Sequence, residues 1–346
     1  MYFFRADGNE KIGAGHIMRC LTVACALAEI VPKEEIMFLC SDSSSAGLSL
    51  SKGFQATVLN TDFKDMETEI SVLKNLPLIM GTSSNNIFIV DSYFVTGTYL
   101  TSLSKFGKVI LFDDLGERKY PVQGIINYNI SASIDEYKKL YSNSDTKLFI
   151  GPEFIPVRKE FTDHTFKLNK KVSKILITAG GGDTDNITGQ VLDAIYSPDL
   201  CFNLIVGQFN PHLQALKEKE TLGNVHIYSS VSNMAELICE NDLVITAGGS
   251  TIYELAALKA PFICFSYAKN QEPLTEFIGS NKLSFYAGAY DKDSMGMLLK
   301  LKSAFDILLN DYPLRESISK GLSNLTDGLG AKRLANSIFK FIQEES

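Results

Sequence analysis

The chain has 346 residues, of which 45% are hydrophobic and 21% charged, with a net charge of −7 at pH 7. That balance excludes a disordered chain, which would be poorer in aliphatic and aromatic residues, and a protein that grips nucleic acid through a general basic surface. A phosphate ligand stays open to it, because backbone N–H groups can bind an anion on an acidic protein.

Taken in chain order, short apolar runs alternate with helical patterns. The first series of runs is Tyr2–Phe4, Ile36–Cys40, Ala56–Leu59, Ile87–Val90, Val109–Phe112 and Ile125–Ile126, with helical spacing over Arg19–Glu29 and Lys64–Leu76. Runs of this kind predict strands buried on both faces. From about Gly151 to Lys174 the alternation stops, and two prolines and a basic cluster take its place. This stretch reads as a linker. A second series follows: Ile175–Ile177, Phe202–Val206, Val225–Ile227, Leu243–Ile245 and Phe262–Phe265, with helical patterns over Asn186–Tyr196, Asn233–Cys239 and Ile252–Leu258. After Asn281 the pattern is helical, through Met295–Leu309, Tyr312–Leu325 and Gly330–Gln343. Strand–helix alternation predicts α/β domains with parallel sheets and right-handed crossovers. The expected division is 1–155, a linker 156–173, a second domain 174–328, and a last helix in 329–346 that returns to the first domain.

The six cysteines form no C-x-x-C pair, and four histidines are too few for a zinc pattern. Several cysteines lie in apolar runs, which predicts buried reduced thiols and a cytoplasmic protein. The start MYFFRADGNEK reaches charge after four residues, unlike a signal peptide. No apolar run approaches the ~18 residues of a membrane span.

Five motifs sit at predicted strand ends. In Ile12-Gly13-Ala14-Gly15-His16-Ile17-Met18-Arg19, glycines precede a helix start. They let backbone approach a ligand, and His16 stands where open α/β sheets bind ligands. The spacing is not that of a dinucleotide fingerprint. Arg19, one turn on, either touches the ligand or stiffens the loop. In Thr246-Ala247-Gly248-Gly249-Ser250-Thr251-Ile252-Tyr253-Glu254, free N–H groups of a helix start can face a phosphate, Ser250 or Thr251 can cap the helix, and Glu254 can accept ribose hydroxyls. Gly180-Gly181-Gly182-Asp183-Thr184-Asp185-Asn186 suggests another phosphate loop. Its Asp183 and Asp185 offer too few oxygens for a metal, and Thr184, Asp185 or Asn186 can cap the next helix. The adjacent amides of Asn270 and Gln271 can read a base, sugar or amide edge. Val90-Asp91-Ser92-Tyr93 ends a buried strand in polar residues, with Tyr93 available to a ligand. Asp113-Asp114 ends the next strand and can equally be structural.

Together FRADG, IGAGHIMRCLTVA, VDSY, the glycine loop, TAGGSTIYELA and NQ resemble the UDP-sugar hydrolases of pseudaminic acid biosynthesis and the spore-coat polysaccharide proteins of the same type. The resemblance spans nearly the whole chain, with the motifs in the family's order. It implies a GT-B-like fold of two Rossmann-like domains facing a cleft. It implies His16 as base, Tyr93 and Asn270 as further catalytic residues, Gly181, Gly182, Gly248 and Gly249 as nucleotide-binding loops and Glu254 as the ribose-binding acid; the motif reading adds Gly13, Gly15, Arg19, Ser250, Thr251 and Gln271 as candidate substrate-binding residues. The resemblance also implies action without a metal or other cofactor.

The expected chemistry is attack of water on the anomeric carbon of a UDP-linked sugar. Helix N-termini stabilise the leaving diphosphate, and a base opposite the leaving group favours inversion. A GT-B glycosyltransferase with a hydroxyl acceptor is the main alternative. A UDP-sugar epimerase and a non-catalytic UDP-sugar binder are the others. A monomer without a nucleic-acid partner is expected, with the exact sugar and oligomeric state open.

Overall fold

The computed structural model describes residues 1–9, 12–81, 86–180, 183–207, 210–229, 231 and 233–343. The chain divides into two compact units: Met1–Pro156 together with Leu329–Ser346, and Val157–Gly328.

Among the described residues, the first unit holds a seven-stranded parallel sheet. Its strands are β1 Tyr2–Ala6, β2 Ile36–Cys40, β3 Gln55–Val58, β4 Ile87–Asp91, β5 Lys108–Phe112, β6 Gly124–Asn127 and β7 Lys147–Ile150, in the order β3-β2-β1-β4-β5-β6-β7. Strands β1, β2 and β4 are buried along their full length, which is why they appear as unbroken apolar runs. Phe3 pairs with Phe88 across β1 and β4, and their rings stack 5.0 Å apart. The order reverses between β1 and β4. Loops leaving the carboxyl ends of these two strands therefore diverge and leave a crevice, where ligands bind in such sheets. The helix Gly15–Leu27 follows β1 and packs against the last helix, Gly330–Gln343. Leu334, Ala335 and Ile338 of that last helix are fully buried. Burying each of the two larger side chains stabilises the attachment by roughly 1.5–3 kcal/mol.

The second unit holds a six-stranded parallel sheet of β8 Lys174–Thr178, β9 Cys201–Ile205, β10 Val225–Tyr228, β11 Leu243–Ala247, β12 Phe262–Ser266 and β13 Phe285–Ala289, in the order β10-β9-β8-β11-β12-β13. Here the order reverses between β8 and β11, so the loops after these two strands form the corresponding crevice.

The structure departs from the sequence reading in four places. Strand β7 starts on Lys147 and is only four residues long, too short to stand out as an apolar run. Strand β13 lies where only helix was expected. Its run FYAGA is half-buried at a sheet edge and holds Gly288 at φ +119, which erases the strand signal. The helix expected over Lys64–Leu76 is a single 3-10 turn, Met66–Thr68, followed by the short helix Glu69–Leu73. The stretch expected as a linker, from Val157 onward, belongs to the second unit. It contains the helical turn Glu160–Asp163 and is fastened by polar groups: Asp242 accepts from Asn169 Nδ2 at 2.8 Å and from the Ser173 and Lys174 backbone N–H groups at 2.7 and 2.9 Å. The buried Arg315 guanidinium donates to the carbonyls of Asn169 and Lys170.

All six cysteines are free thiols; Cys20, Cys40 and Cys264 are buried, whereas Cys25 is exposed. No described helix is long and apolar enough to cross a membrane.

Candidate active site

The crevice of the first unit collects the residues that follow β1 and β4. Gly13 adopts φ +72, a left-handed backbone that favours glycine, and its N–H donates to the Asn9 carbonyl at 2.8 Å. The helix Gly15–Leu27 begins two residues later and carries His16 in its first turn. Asp91 ends β4 and is 1% exposed at its side chain. His16 Nδ1 lies 2.7 Å from Asp91 Oδ1. Since the carboxylate is an acceptor, Nδ1 is the ring nitrogen that carries a proton toward it, and Nε2 is the nitrogen turned away from Asp91. The Tyr93 ring meets the His16 ring edge-on, 4.6 Å between centroids at 81°.

Arg19 organises the carboxylates. Its Nε donates to Asp91 Oδ2, its Nη2 to Asp91 Oδ1 at 2.5 Å and Asp114 Oδ2 at 2.9 Å, and its Nη1 to Asp114 Oδ1 at 2.8 Å and the Tyr128 hydroxyl at 3.0 Å. A guanidinium has five N–H donors, and all five are engaged here. Its plane also rests on the Phe112 ring, 4.9 Å from the centroid. Arg19 therefore has no donor left for a substrate. Of the two expectations for Arg19, these contacts favour the one in which it stiffens the loop.

Burial pushes the Asp91 carboxyl up, but the charges and hydrogen bonds of Arg19 and His16 outweigh it and hold it at about 2. Asp114, also tied to Arg19, accepts from the Tyr93 hydroxyl at 3.0 Å. Burial and the Asp114 charge push the Tyr93 phenol up, so it remains protonated and donates. Asp113 is structural. It accepts from the Leu115 and Gly116 N–H groups and from the Tyr137 hydroxyl at 2.8 Å.

A buried charge cluster lies at the end of β1. Arg5 donates to Asp7 Oδ2 at 2.6 Å and to both oxygens of Glu69, while Asp7 Oδ1 accepts from the Ser41 N–H at 2.7 Å. Asp7, His16 and Asp91 reach one pocket of about 160 Å³, whose remaining walls include Ile12, Phe63 and Phe94. Asp7, Asp91, Asp114 and the Arg5 cluster were not among the expected site residues. One signal was present: a charged Arg5 interrupts an otherwise apolar strand, and a buried arginine needs carboxylates.

In the second unit, the helix Ser250–Leu258 follows β11. Its N-cap is Gly249, with no side-chain capping bond, so Ser250 and Thr251 do not cap it as expected. The backbone N–H groups of its first turn are a ready anion site. The two glycines differ. A Cβ on Gly248 would stand 2.6 Å from Thr275 Cγ2 and 3.0 Å from Gln271 Cβ, whereas a Cβ on Gly249 would enter open space. Gly248 thus serves close packing, and Gly249 is the position with room beside it. Gln271 Oε1 accepts from the Tyr267 N–H at 3.0 Å and braces the loop, while Asn270 is exposed.

Glu254 Oε1 accepts from Arg158 Nε and lies 2.9 Å from both Arg158 Nε and Nη2. Burial pushes the Glu254 carboxyl up, and Arg158 opposes this. Arg158 lies in the stretch expected as a linker and was not anticipated as a partner. Asp183 accepts from the Ile187 and Thr188 N–H groups at 2.6 and 2.9 Å, so it caps the helix Ile187–Ile195 in place of Thr184, Asp185 or Asn186. Asp185 is exposed. Gly181 and Gly182 lie outside the described residues. No group of three or more His, Cys, Asp or Glu side chains able to hold a metal occurs among the described residues.

Residues 164–276 match the glycosyltransferase family 28 C-terminal domain. An uncharacterized protein of Methanocaldococcus jannaschii, MJ1062, is 28% identical over 74% of this chain; the match spans about half, 54%, of that protein's length. The spore coat polysaccharide biosynthesis protein SpsG of Bacillus subtilis is 22% identical over 98% of both chains. The UDP-2,4-diacetamido-2,4,6-trideoxy-β-L-altropyranose hydrolase of Campylobacter jejuni is 25% identical over 78% of this chain and 92% of its own. Among solved structures, MurG of Acinetobacter baumannii superposes with a TM-score of 0.65 at 13% identity, covering 98% of this chain and 99% of MurG. The chain is thus a homologue of the spore-coat and altropyranose-hydrolase proteins, built on the GT-B glycosyltransferase fold.

Proposed function

We propose that the chain is a nucleotide-sugar hydrolase that removes UDP from a UDP-linked diacetamido-trideoxy sugar. The observation that carries this reading is the His16–Asp91 pair, held by Arg19 and opening on a pocket at the carboxyl end of β1 and β4. In this mechanism Nε2 of His16 takes a proton from water as the water oxygen bonds to the anomeric carbon. The bond from that carbon to the phosphate oxygen breaks, and UDP leaves with the electron pair. Asp91 remains a carboxylate and stabilises the imidazolium that forms. Tyr93, a phenol beside His16 whose proton goes to Asp114, offers its hydroxyl oxygen as an acceptor to a sugar hydroxyl or amide N–H. In the second unit, the uncapped helix start at Ser250 and Thr251 receives the diphosphate charge, and Glu254 accepts the ribose hydroxyls. Asn270 completes the set as a polar contact to the substrate. Arg158 fixes the Glu254 carboxylate in place for its part. A metal is not needed for a leaving group stabilised in this way.

The homology to the Campylobacter hydrolase supports the substrate class. The test is incubation with a panel of UDP-sugars, following UDP release and product stereochemistry by proton NMR. Heavy-oxygen water should label the sugar, with inversion at the anomeric carbon. A label on phosphate would overturn the reading. The match of residues 164–276 to a glycosyltransferase domain favours a second reading, transfer of the sugar to a hydroxyl acceptor. That enzyme would turn over little with water alone and would need its acceptor.

A further inference from the structure

The pocket beside His16 has two kinds of wall. One is polar and already committed. Both oxygens of Asp7 are taken by Arg5 and Ser41, both oxygens of Asp91 by His16 and Arg19, and the Ser92 hydroxyl accepts from the Phe94 N–H at 3.1 Å. The other wall is apolar. Phe63, from the loop after β3, and Phe94, from the loop after β4, meet edge-on with ring centroids 5.5 Å apart, and Ile12 adjoins them. The two loops are tied by a hydrogen bond from Thr96 Oγ1 to Glu67 Oε1 at 2.6 Å. Phe63 is 8% exposed and Phe94 36%. This wall is therefore a built surface, placed within one small cavity of the base proposed above.

A hydroxyl pressed against such a wall gives up its water and gains no new partner, which is costly, whereas a methyl group gains burial. We propose that Phe63 and Phe94 are specificity-determining residues that pack the methyl group of a deoxygenated sugar and disfavour the same sugar bearing a hydroxymethyl. This inference rests on the hydrolase reading for the orientation of the sugar toward His16. It adds to that reading the residues that choose the substrate.

The test uses two UDP-linked 2,4-diacetamido sugars that differ only in carrying a methyl or a hydroxymethyl group on C5 of the ring. Binding is measured by calorimetry on the full chain in a His16→Asn background, where turnover is suppressed, and UDP release is measured in parallel with His16 intact. The expected preference for the methyl compound is tenfold or more, the scale that one group in an apolar pocket supplies. Phe94→Ser should reduce that preference severalfold by weakening the methyl compound, and Phe94→Leu should keep most of it. Phe94 is partly exposed, so both variants are expected to fold. Equal binding of the two sugars, or an unchanged preference in Phe94→Ser, overturns the proposal. UDP release from both sugars together with equal binding leaves the hydrolase reading standing without this selector. Selective binding without UDP release removes the hydrolase reading and keeps the selector.

Discussion

Asp91 faces His16 with one carboxylate oxygen, 2.7 Å from Nδ1, while Arg19 donates to both of its oxygens. The imidazole therefore meets a carboxylate that is itself fixed in place, and the ring presents Nε2 in a defined direction. A base so held pays little to reorganise when it takes a proton.

His16→Asn should lower kcat for UDP release by about 10²–10⁴-fold, the range that general-base catalysis supplies. Asp91→Asn should lower kcat as well, with a smaller effect on KM, since the carboxylate acts through the ring and not on the sugar. Steady-state kinetics with a UDP-sugar substrate checks both. Full activity in His16→Asn would remove the imidazole from the mechanism.

Acid should act on the fold through Asp91. Its folded carboxyl is held at about 2 by Arg19 and His16, below the ordinary carboxylate value near 3.9. A depressed folded value means that the stabilisation is fully present above that ordinary value. It is lost as pH falls from about 4 toward 2. Urea unfolding across that window should show the wild type losing stability more steeply than Asp91→Asn. Parallel curves would mean that the pair contributes nothing to the linkage.

Arg19→Lys keeps the charge but replaces five fixed donors by three mobile ones. Asp91 and Asp114 would then lose their common bidentate partner inside the protein. Loss of charge-assisted hydrogen bonds that an ammonium cannot replace costs about 1.5–3 kcal/mol. A fall of that size in urea-derived stability, with kcat reduced as His16 loses its fixed acceptor, is the expected result. A variant as stable and active as the wild type would show that the five-donor arrangement is dispensable.

Asp183→Ala removes the two N–H acceptors at the start of the helix Ile187–Ile195. Loss of such a cap costs about 1 kcal/mol. Thermal unfolding should register it, and UDP release by the wild type should be insensitive to EDTA. Inhibition by EDTA that added Mg²⁺ reverses would restore a metal role for this loop.

The sheets were legible because their central strands are buried on both faces and written as runs such as Ile87–Val90 and Phe262–Phe265. Strand β13 was not, because an edge strand with Gly288 in it has no such run. His16 and Tyr93 were legible from glycine context and strand ends. Their carboxylates were less so. Asp91 lies 75 residues from His16 and Asp114 lies 95 from Arg19, and only the strand order β1-β4-β5 makes them neighbours. The same holds for Glu254. An acid one turn into a helix is a local pattern, but its pairing with Arg158 spans 96 residues and depends on how the segment before β8 lies on its unit. Side-chain pairing of this range is written in topology, and the sequence alone shows the partners without showing that they meet.

The last helix belongs to the unit that the chain begins with, and Gly330 fits against Ile155 so closely that a Cβ there would meet its carbonyl oxygen. The second unit is thus inserted within the first. During synthesis the His16 unit starts first, yet it cannot complete its core until the residues from Leu329 onward have emerged. The inserted unit has all of its own strands by then and can fold while the first still waits.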